Sequence, residues 1–123
     1  MKIILESPYH LIRLLVPEMN NRGYGQIINI SSDWDAFSQG LNGSGSYGIA
    51  KSSTKRTHTG SFAKTSQQHI KSAMCPGWVR TRIGRDQATR NPIEAANTAI
   101  WLAQLSKDGS TGGFFRDRQP LAW

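Results

Sequence analysis

A tyrosine and a lysine four residues apart are the residues of this sequence best suited to acid and base chemistry. Tyr47 and Lys51 stand in the run SYGIAK. If a helix carries them, residues at this spacing lie on one face, one turn apart. The ammonium would then favour the ionised phenol, which makes the pair a candidate for proton transfer. The alternative is that Tyr47 is a half-buried aromatic side chain and Lys51 a solvated helix charge.

Two apolar segments that end in polar turns flank this pair. The run over 25–31 predicts a short buried strand that closes on Ser31 and Ser32, and a Gly-rich loop leads from there to the pair. A second strand, predicted at 70–75, breaks into the Pro76-Gly77 turn. Parallel α/β sheets bind ligands outside the carboxyl ends of their strands. We therefore expect these segments to converge on one site.

In these segments the chain resembles the short-chain dehydrogenase/reductase family, and within it the carbonyl-reductase-like members. The resemblance implies an α/β fold, a three-layer Rossmann-like parallel sheet of about three strands with flanking helices. The Gly-rich turn of the amino-terminal βαβ cofactor unit is missing, so residues 1–123 resemble one partial domain, the carboxyl-terminal catalytic half. The motifs that carry the resemblance are NISS at 29–32, YGIAK at 47–51, CPGWVRT at 75–81 and TGGFFRDR at 111–118.

The family moves a hydride between a nicotinamide and a carbonyl or alcohol substrate, and the resemblance implies roles for three residues. Tyr47 matches the general acid and base, which exchanges a proton with the substrate oxygen. Lys51 matches the residue that favours the ionised phenol and binds the nicotinamide ribose. Ser32 matches the serine that holds the substrate oxygen, with Ser31 as the alternative.

The resemblance also implies a cofactor and a substrate pocket. The cofactor is NADP or NAD, with a slight preference for NADP. In the turn that cradles the nicotinamide, Val79 would act through its backbone and Thr81 through its hydroxyl. Trp34, Phe37 and Trp78 lie near the expected mouth, where they would suit an apolar or aromatic carbonyl compound. The alternative for Trp34 and Phe37 is that they only pin the loop. The cofactor-binding residues implied are Tyr47, Lys51, Pro76, Gly77, Val79 and Thr81.

A second hypothesis is an inactive truncated member of the family that acts, if at all, by docking to a related subunit. The family commonly has an asparagine in its proton relay, and the corresponding position here is Ile4 or its neighbour. Residues 1–7 match the family poorly, Lys71 interrupts an apolar strand, and the middle of the predicted helix at 46–66 is polar. Homo-oligomerisation and association with a related subunit both stay open.

Composition excludes several other classes of protein. The net charge is +7, but the basic residues are scattered, so nucleic acid is not an expected partner. The densest group, Arg80, Arg82, Arg85 and Arg90, predicts a solvated loop, or else a contact for an anionic substrate or a phosphate. One cysteine and three histidines without ligand spacing predict no metal site. No apolar stretch approaches the ~20 residues of a membrane span, and no signal peptide is present, so we expect a cytoplasmic protein.

Local signals define the expected helices. Pro8 fits the first turn of one helix, and Gly23 would end it. Asn91 would cap another, with Glu94 placed to complete a capping box. The expected helices are 7–22, 46–66 and 92–105, and the expected strands are 25–31, 70–75 and 112–116.

Overall fold

The computed structural model describes residues 2–32, 69–106, 108–109 and 111–122. These residues form two α-helices and a four-stranded sheet, so the predicted α/β class is confirmed. The predicted helix at 46–66 lies outside the described residues. In chain order the elements are α1 (Ser7–Arg22), β1 (Gly25–Ile30), β2 (His69–Met74), α2 (Pro92–Ala103), β3 (Phe114–Arg116) and β4 (Gln119–Pro120).

Helix α1 has the predicted bounds. Pro8 lies in its first turn, and Gly23 ends it in the left-handed conformation, with φ of 70°. Glycine is favoured there because it adopts positive φ without a Cβ clash. A π-helical turn over Lys2–Glu6 precedes the helix. This turn was not predicted, because the apolar stretch there has no helix-start signal.

The apolar stripe of α1 is only partly buried. Ile12 and Val16 are buried, whereas Leu11, Leu14 and Leu15 are at least half exposed. The helix contacts β1 and β2, so these two buried residues are its contribution to the core. Among the described residues, no helix is long and apolar enough to cross a bilayer.

The sheet is parallel except at its last strand. Strand β1 pairs with β2 in register from Gly25 opposite His69 to Ile30 opposite Met74, and β2 pairs with β3 in the same direction. The prediction of about three strands is corrected by β4, which pairs antiparallel with β3. The β3–β4 turn contains no glycine, although both its residues have positive φ, so the sequence carried little signal for a hairpin.

Helix α2 covers one face of the sheet. Leu102 is fully buried against Met74 and Phe115, while the alternating residues Ala73 and Phe114 form a separate cluster. This division follows from the strand, whose successive side chains point to opposite faces. The end of α2 is also tied to β1, because the Gln26 side chain donates a hydrogen bond to the Leu105 carbonyl at 2.6 Å.

The capping box predicted at the start of α2 is present. The Asn91 side chain accepts from the Glu94 N–H at 2.8 Å, and Glu94 Oε2 accepts from the Asn91 N–H at 3.3 Å. Asn91→Ala is expected to lower the free energy of unfolding by about 1 kcal/mol, because the Glu94 N–H loses its acceptor. Denaturant unfolding measures this loss, with Asn97→Ala as the control at an exposed position of the same helix. Equal stabilities for the two variants would contradict the assigned cap.

Candidate functional site

A cavity of about 500 Å³ opens at the carboxyl ends of β1 and β2, beside α2. This volume lies within the range of small-molecule sites. Most of the wall is apolar, and hydroxyl groups come from Ser32 and Thr81. The lining residues are Ile30, Ser32, Met74, Pro76, Gly77, Trp78, Val79, Thr81, Ile83, Gly84, Pro92, Ala95, Ala96 and Ala99.

The structure brings together several residues that the sequence had assigned to a site. They come from two segments far apart in the chain, and all line this one cavity. Their roles stay predictions. These residues are Ser32, Pro76, Gly77, Trp78, Val79 and Thr81. The other candidates, Trp34, Phe37, Tyr47 and Lys51, lie outside the described residues.

The two neighbouring serines occupy different environments. Ser32 is half-buried and lines the cavity, as does Ile30. Ser31 between them is only 3% exposed, and its N–H donates to the Met74 carbonyl at 2.7 Å. The Ser31 hydroxyl is buried and has no hydrogen-bond partner among the described residues. Of the pair, Ser32 is therefore the one positioned to touch a ligand in the cavity.

Val79 lies in a short parallel bridge with Arg90. The two hydrogen bonds of this bridge are made by the residues on either side of Val79. The Arg90 N–H donates to the Trp78 carbonyl at 3.1 Å, and the Arg80 N–H donates to the Arg90 carbonyl at 2.8 Å. In extended backbone the N–H and C=O of one residue point to the same side, so both groups of Val79 face away from Arg90. The Val79 carbonyl accepts from the Thr81 hydroxyl at 3.4 Å on that side.

The segment after Val79 folds back on itself. The Thr81 hydroxyl accepts from the Gly84 N–H at 3.2 Å, and the Thr81 carbonyl accepts from the Arg85 N–H at 2.8 Å. Arg80, Arg82 and Arg85 are exposed, as a solvated loop predicts. The hydrogen bonds nevertheless hold the backbone of this segment in a defined turn beside the cavity.

Arg90 differs from the other arginines of the group. Its guanidinium forms a bidentate ion pair with Asp117, in which Nη1 donates to Oδ2 at 2.9 Å and Nη2 donates to Oδ1. The Arg90 stem also lies against Gly77, where an added Cβ would come within 2.7 Å of Arg90 Cδ. The prediction of a solvated loop is thus wrong for this residue. Nothing in the sequence signalled the pair, because its members are 27 residues apart.

The hydrogen bond from Arg90 holds the pKa of the Asp117 carboxyl below its ordinary value of 3.8. Because the pKa of Asp117 is lower in the folded chain than in the unfolded chain, the ion pair stabilises the fold at neutral pH. This stabilisation is lost as the pH falls from the unfolded-state pKa of Asp117 toward its folded-state pKa. We expect the melting temperature of the wild-type chain to fall more steeply below about pH 4 than that of Asp117→Asn. Parallel slopes in thermal melts across that range would contradict this linkage.

Among the described residues, no group of three or more His, Cys, Asp or Glu side chains could hold a metal ion. Cys75 is buried, and its Sγ accepts from the Gly77 N–H at 3.3 Å. The cavity offers hydroxyl groups in a mainly apolar wall, which suits a mainly apolar ligand with a few polar substituents.

The family model and the similar curated proteins indicate the same family for this chain. The family model described as short chain dehydrogenase matches residues 1–92. The matched range includes residues 1–7, for which the sequence predicted a poor match. Human carbonyl reductase (NADPH) 1 is 33% identical over 87 residues, which cover 65% of this chain and 31% of the human protein. The rabbit (Oryctolagus cuniculus) protein of the same name is 45% identical over 53 residues, or 42% of this chain and 19% of that protein.

Solved structures show the same fold. The carbonyl reductase Sniffer of Drosophila melanogaster superposes with a TM-score of 0.81 at 23% identity, over 99% of this chain and 55% of that chain. An NADPH-bound carbonyl reductase from chicken fatty liver superposes with a TM-score of 0.74, also at 23% identity, over 94% of this chain and 52% of that chain. The chain therefore spans about half the length of these structures and less of the curated relatives.

Proposed function

The chain belongs to the short chain dehydrogenase family, and from that premise we propose that it carries the catalytic side of an NADPH-dependent carbonyl reductase. The observation that carries the proposal is the cavity that Ser32 shares with the Pro76–Thr81 turn. A substrate-binding hydroxyl and a cofactor-binding turn must meet in one place for such a reaction. Ser32 and this turn lie together at the carboxyl ends of two parallel strands, where α/β sheets bind ligands, and this supports the proposal.

The groups present fit the nicotinamide end of the cofactor. A nicotinamide ring is flat and mainly apolar, and it carries one carboxamide. The wall formed by Pro76, Val79 and Ile83 suits the ring, while the Val79 N–H and the Thr81 hydroxyl oxygen suit the carboxamide. NADPH is favoured over NADH because the similar curated proteins are named as NADPH-dependent carbonyl reductases. When bound, NADPH would supply the hydride.

The protein's own part in the reaction is to hold the carbonyl and move a proton. Ser32 would donate a hydrogen bond to the substrate oxygen and so orient the carbonyl. Tyr47 would give its phenolic proton to that oxygen as negative charge develops there, which is general acid catalysis. Lys51, four residues after Tyr47 in the sequence, would stabilise the ionised phenol that remains.

The wall of the cavity favours apolar carbonyl compounds as substrates. Trp78 is 49% exposed and Ile83 is 90% exposed, and both line the cavity. Aromatic and large aliphatic side chains in such positions gain from contact with an aromatic ring or alkyl chain of a ligand. We therefore propose aromatic or bulky apolar aldehydes and ketones as the substrate class.

Nucleotide binding tests this function. The purified chain is titrated with NADPH and with NADH while nucleotide fluorescence is followed, and thermal melts are recorded with and without each nucleotide. We expect saturable binding of NADPH, weaker binding of NADH, and a melting temperature that rises with NADPH concentration, since a ligand of the native state stabilises it. A cooperative melt that neither nucleotide shifts would contradict the proposal and favour the non-catalytic hypothesis.

A further inference from the structure

Arg90 connects the wall of the cavity to the far end of the chain. Its backbone bonds to the Trp78 carbonyl and the Arg80 N–H, so it fixes the strand-like piece that contains Val79. Its guanidinium forms the bidentate ion pair with Asp117. One residue thus joins the cofactor-facing turn to the β3–β4 hairpin.

The Arg90 side chain also restricts the Pro-Gly turn directly. Gly77 has φ of +73°, and a Cβ added there would lie 2.7 Å from Arg90 Cδ, so the Arg90 stem would have to move. The Arg90 side chain is only 22% exposed, and its Nε is buried without a hydrogen-bond partner among the described residues. The hydrogen bonds to Asp117 anchor the other end of the guanidinium, which favours this placement of the side chain.

The Asp117 end of the pair is fixed as well. Asp117 and Arg118 form the two-residue turn between β3 and β4, with φ of 52° and 63°. The Arg118 N–H donates to the Thr98 hydroxyl at 3.3 Å, and Thr98 on α2 is only 2% exposed. The carboxylate of Asp117 is therefore presented from a turn that is itself attached to the helix beside the cavity.

We propose that Arg90 and Asp117 are positioning residues for the cofactor: their ion pair holds the turn from Gly77 to Arg80 in the geometry that receives the nicotinamide end of NADPH. This inference rests on the proposed function and deepens it. The pair touches neither cofactor nor substrate, and it acts through the Gly77 turn and the backbone of Val79. Affinity for NADPH would then depend on a turn near the carboxyl end of this sequence.

Two conservative variants test the pair, each with a matched control. Arg90→Lys keeps the charge and an aliphatic stem but loses the planar fork. Asp117→Asn keeps the shape of the side chain but removes its negative charge, and asparagine tolerates the positive φ at this position. The same changes at the exposed pair Glu18–Arg22, namely Arg22→Lys and Glu18→Gln, are the controls, because that pair lies on α1 near the amino end of β1.

Two measurements are made on each variant below its melting temperature. The NADPH dissociation constant is expected to rise about tenfold in Arg90→Lys and in Asp117→Asn, and less than twofold in the controls. Hydrogen exchange without nucleotide is expected to accelerate in the peptide over 76–84, where the Arg80 N–H bonds to Arg90, and not in α1. A merely structural role would lower the melting temperature and leave the dissociation constant of the folded protein unchanged.

Each outcome bears on the proposal in a defined way. Weakened NADPH binding together with faster exchange at 76–84 supports it, and Asp117→Asn alone suffices if Arg90→Lys does not fold. Unchanged affinity in the folded variants overturns it, whatever the exchange shows. If the wild-type chain binds no NADPH, the proposed function fails first and the positioning role fails with it, which the wild-type titration distinguishes from failure of the pair alone.

Discussion

Replacing Tyr47 with phenylalanine is expected to reduce carbonyl reduction by at least about 100-fold, the lower end of what a positioned general acid contributes. The change removes one hydroxyl and keeps the ring, so the fold should persist. Steady-state kinetics with NADPH and an aromatic ketone measure the effect. The loss should fall on kcat, because the proton is needed when the hydride reaches the carbonyl carbon.

Tyr24→Phe is the matched control for this substitution. Tyr24 is 46% exposed and directly precedes β1, at the opposite end of the strand from the cavity. Among the described residues, its hydroxyl accepts a long 3.4 Å hydrogen bond from the Gln26 side chain, so its removal should leave kcat unchanged. If Tyr47→Phe keeps most of the wild-type kcat, another group donates the proton, and the resemblance in the YGIAK motif does not extend to its role.

Leu102→Ala is expected to lower the free energy of unfolding by about 2–5 kcal/mol. Leu102 is fully buried between the sheet residues Met74 and Phe115, and truncation leaves a cavity that these neighbours fill only in part. A domain of this size is stabilised by only about 5–15 kcal/mol, so the variant should lose a large part of its stability. Equilibrium unfolding in urea, monitored by circular dichroism, measures the change.

The control for Leu102 lies two positions earlier on the same helix. Ile100 is 53% exposed, so Ile100→Ala removes apolar atoms that already contact water and should change stability by less than about 1 kcal/mol. Similar losses in the two variants would contradict the assignment of the inward face of α2. A loss below about 1 kcal/mol in Leu102→Ala would mean that this cluster is not the core of the domain.

Local signals made much of the fold predictable. Pro8 and Gly23 bounded α1 because proline fits a first helical turn and glycine fits the left-handed end, and Asn91 with Glu94 marked the start of α2 for a comparable reason. Strand β4 was missed because its turn is Asp117-Arg118, two residues that rarely mark a hairpin. The backbone there adopts positive φ because tertiary contacts support it, and such contacts are not visible in a local pattern.

The candidate site was predictable where motifs carried it. The resemblance placed Ser32 and the Pro76–Thr81 turn together, and the geometry distinguishes Ser32 from buried Ser31. The ion pair of Arg90 was not predictable, because a single arginine in a basic segment shows no sign of a carboxylate 27 residues away. Side-chain pairs of this kind are set by the folded chain, whereas motifs and caps are set by neighbours in sequence.

The most direct test of the central claim is a map of where NADPH binds. Amide chemical shifts of the ¹⁵N-labelled chain are followed during an NADPH titration, with the same titration of the Tyr47→Phe variant as a check that binding does not require catalysis. The account predicts saturable shifts at Ser32, Gly77, Val79 and Thr81, with little change in α1. Saturable shifts confined to other parts of the chain, or none at all in a folded protein, would contradict it.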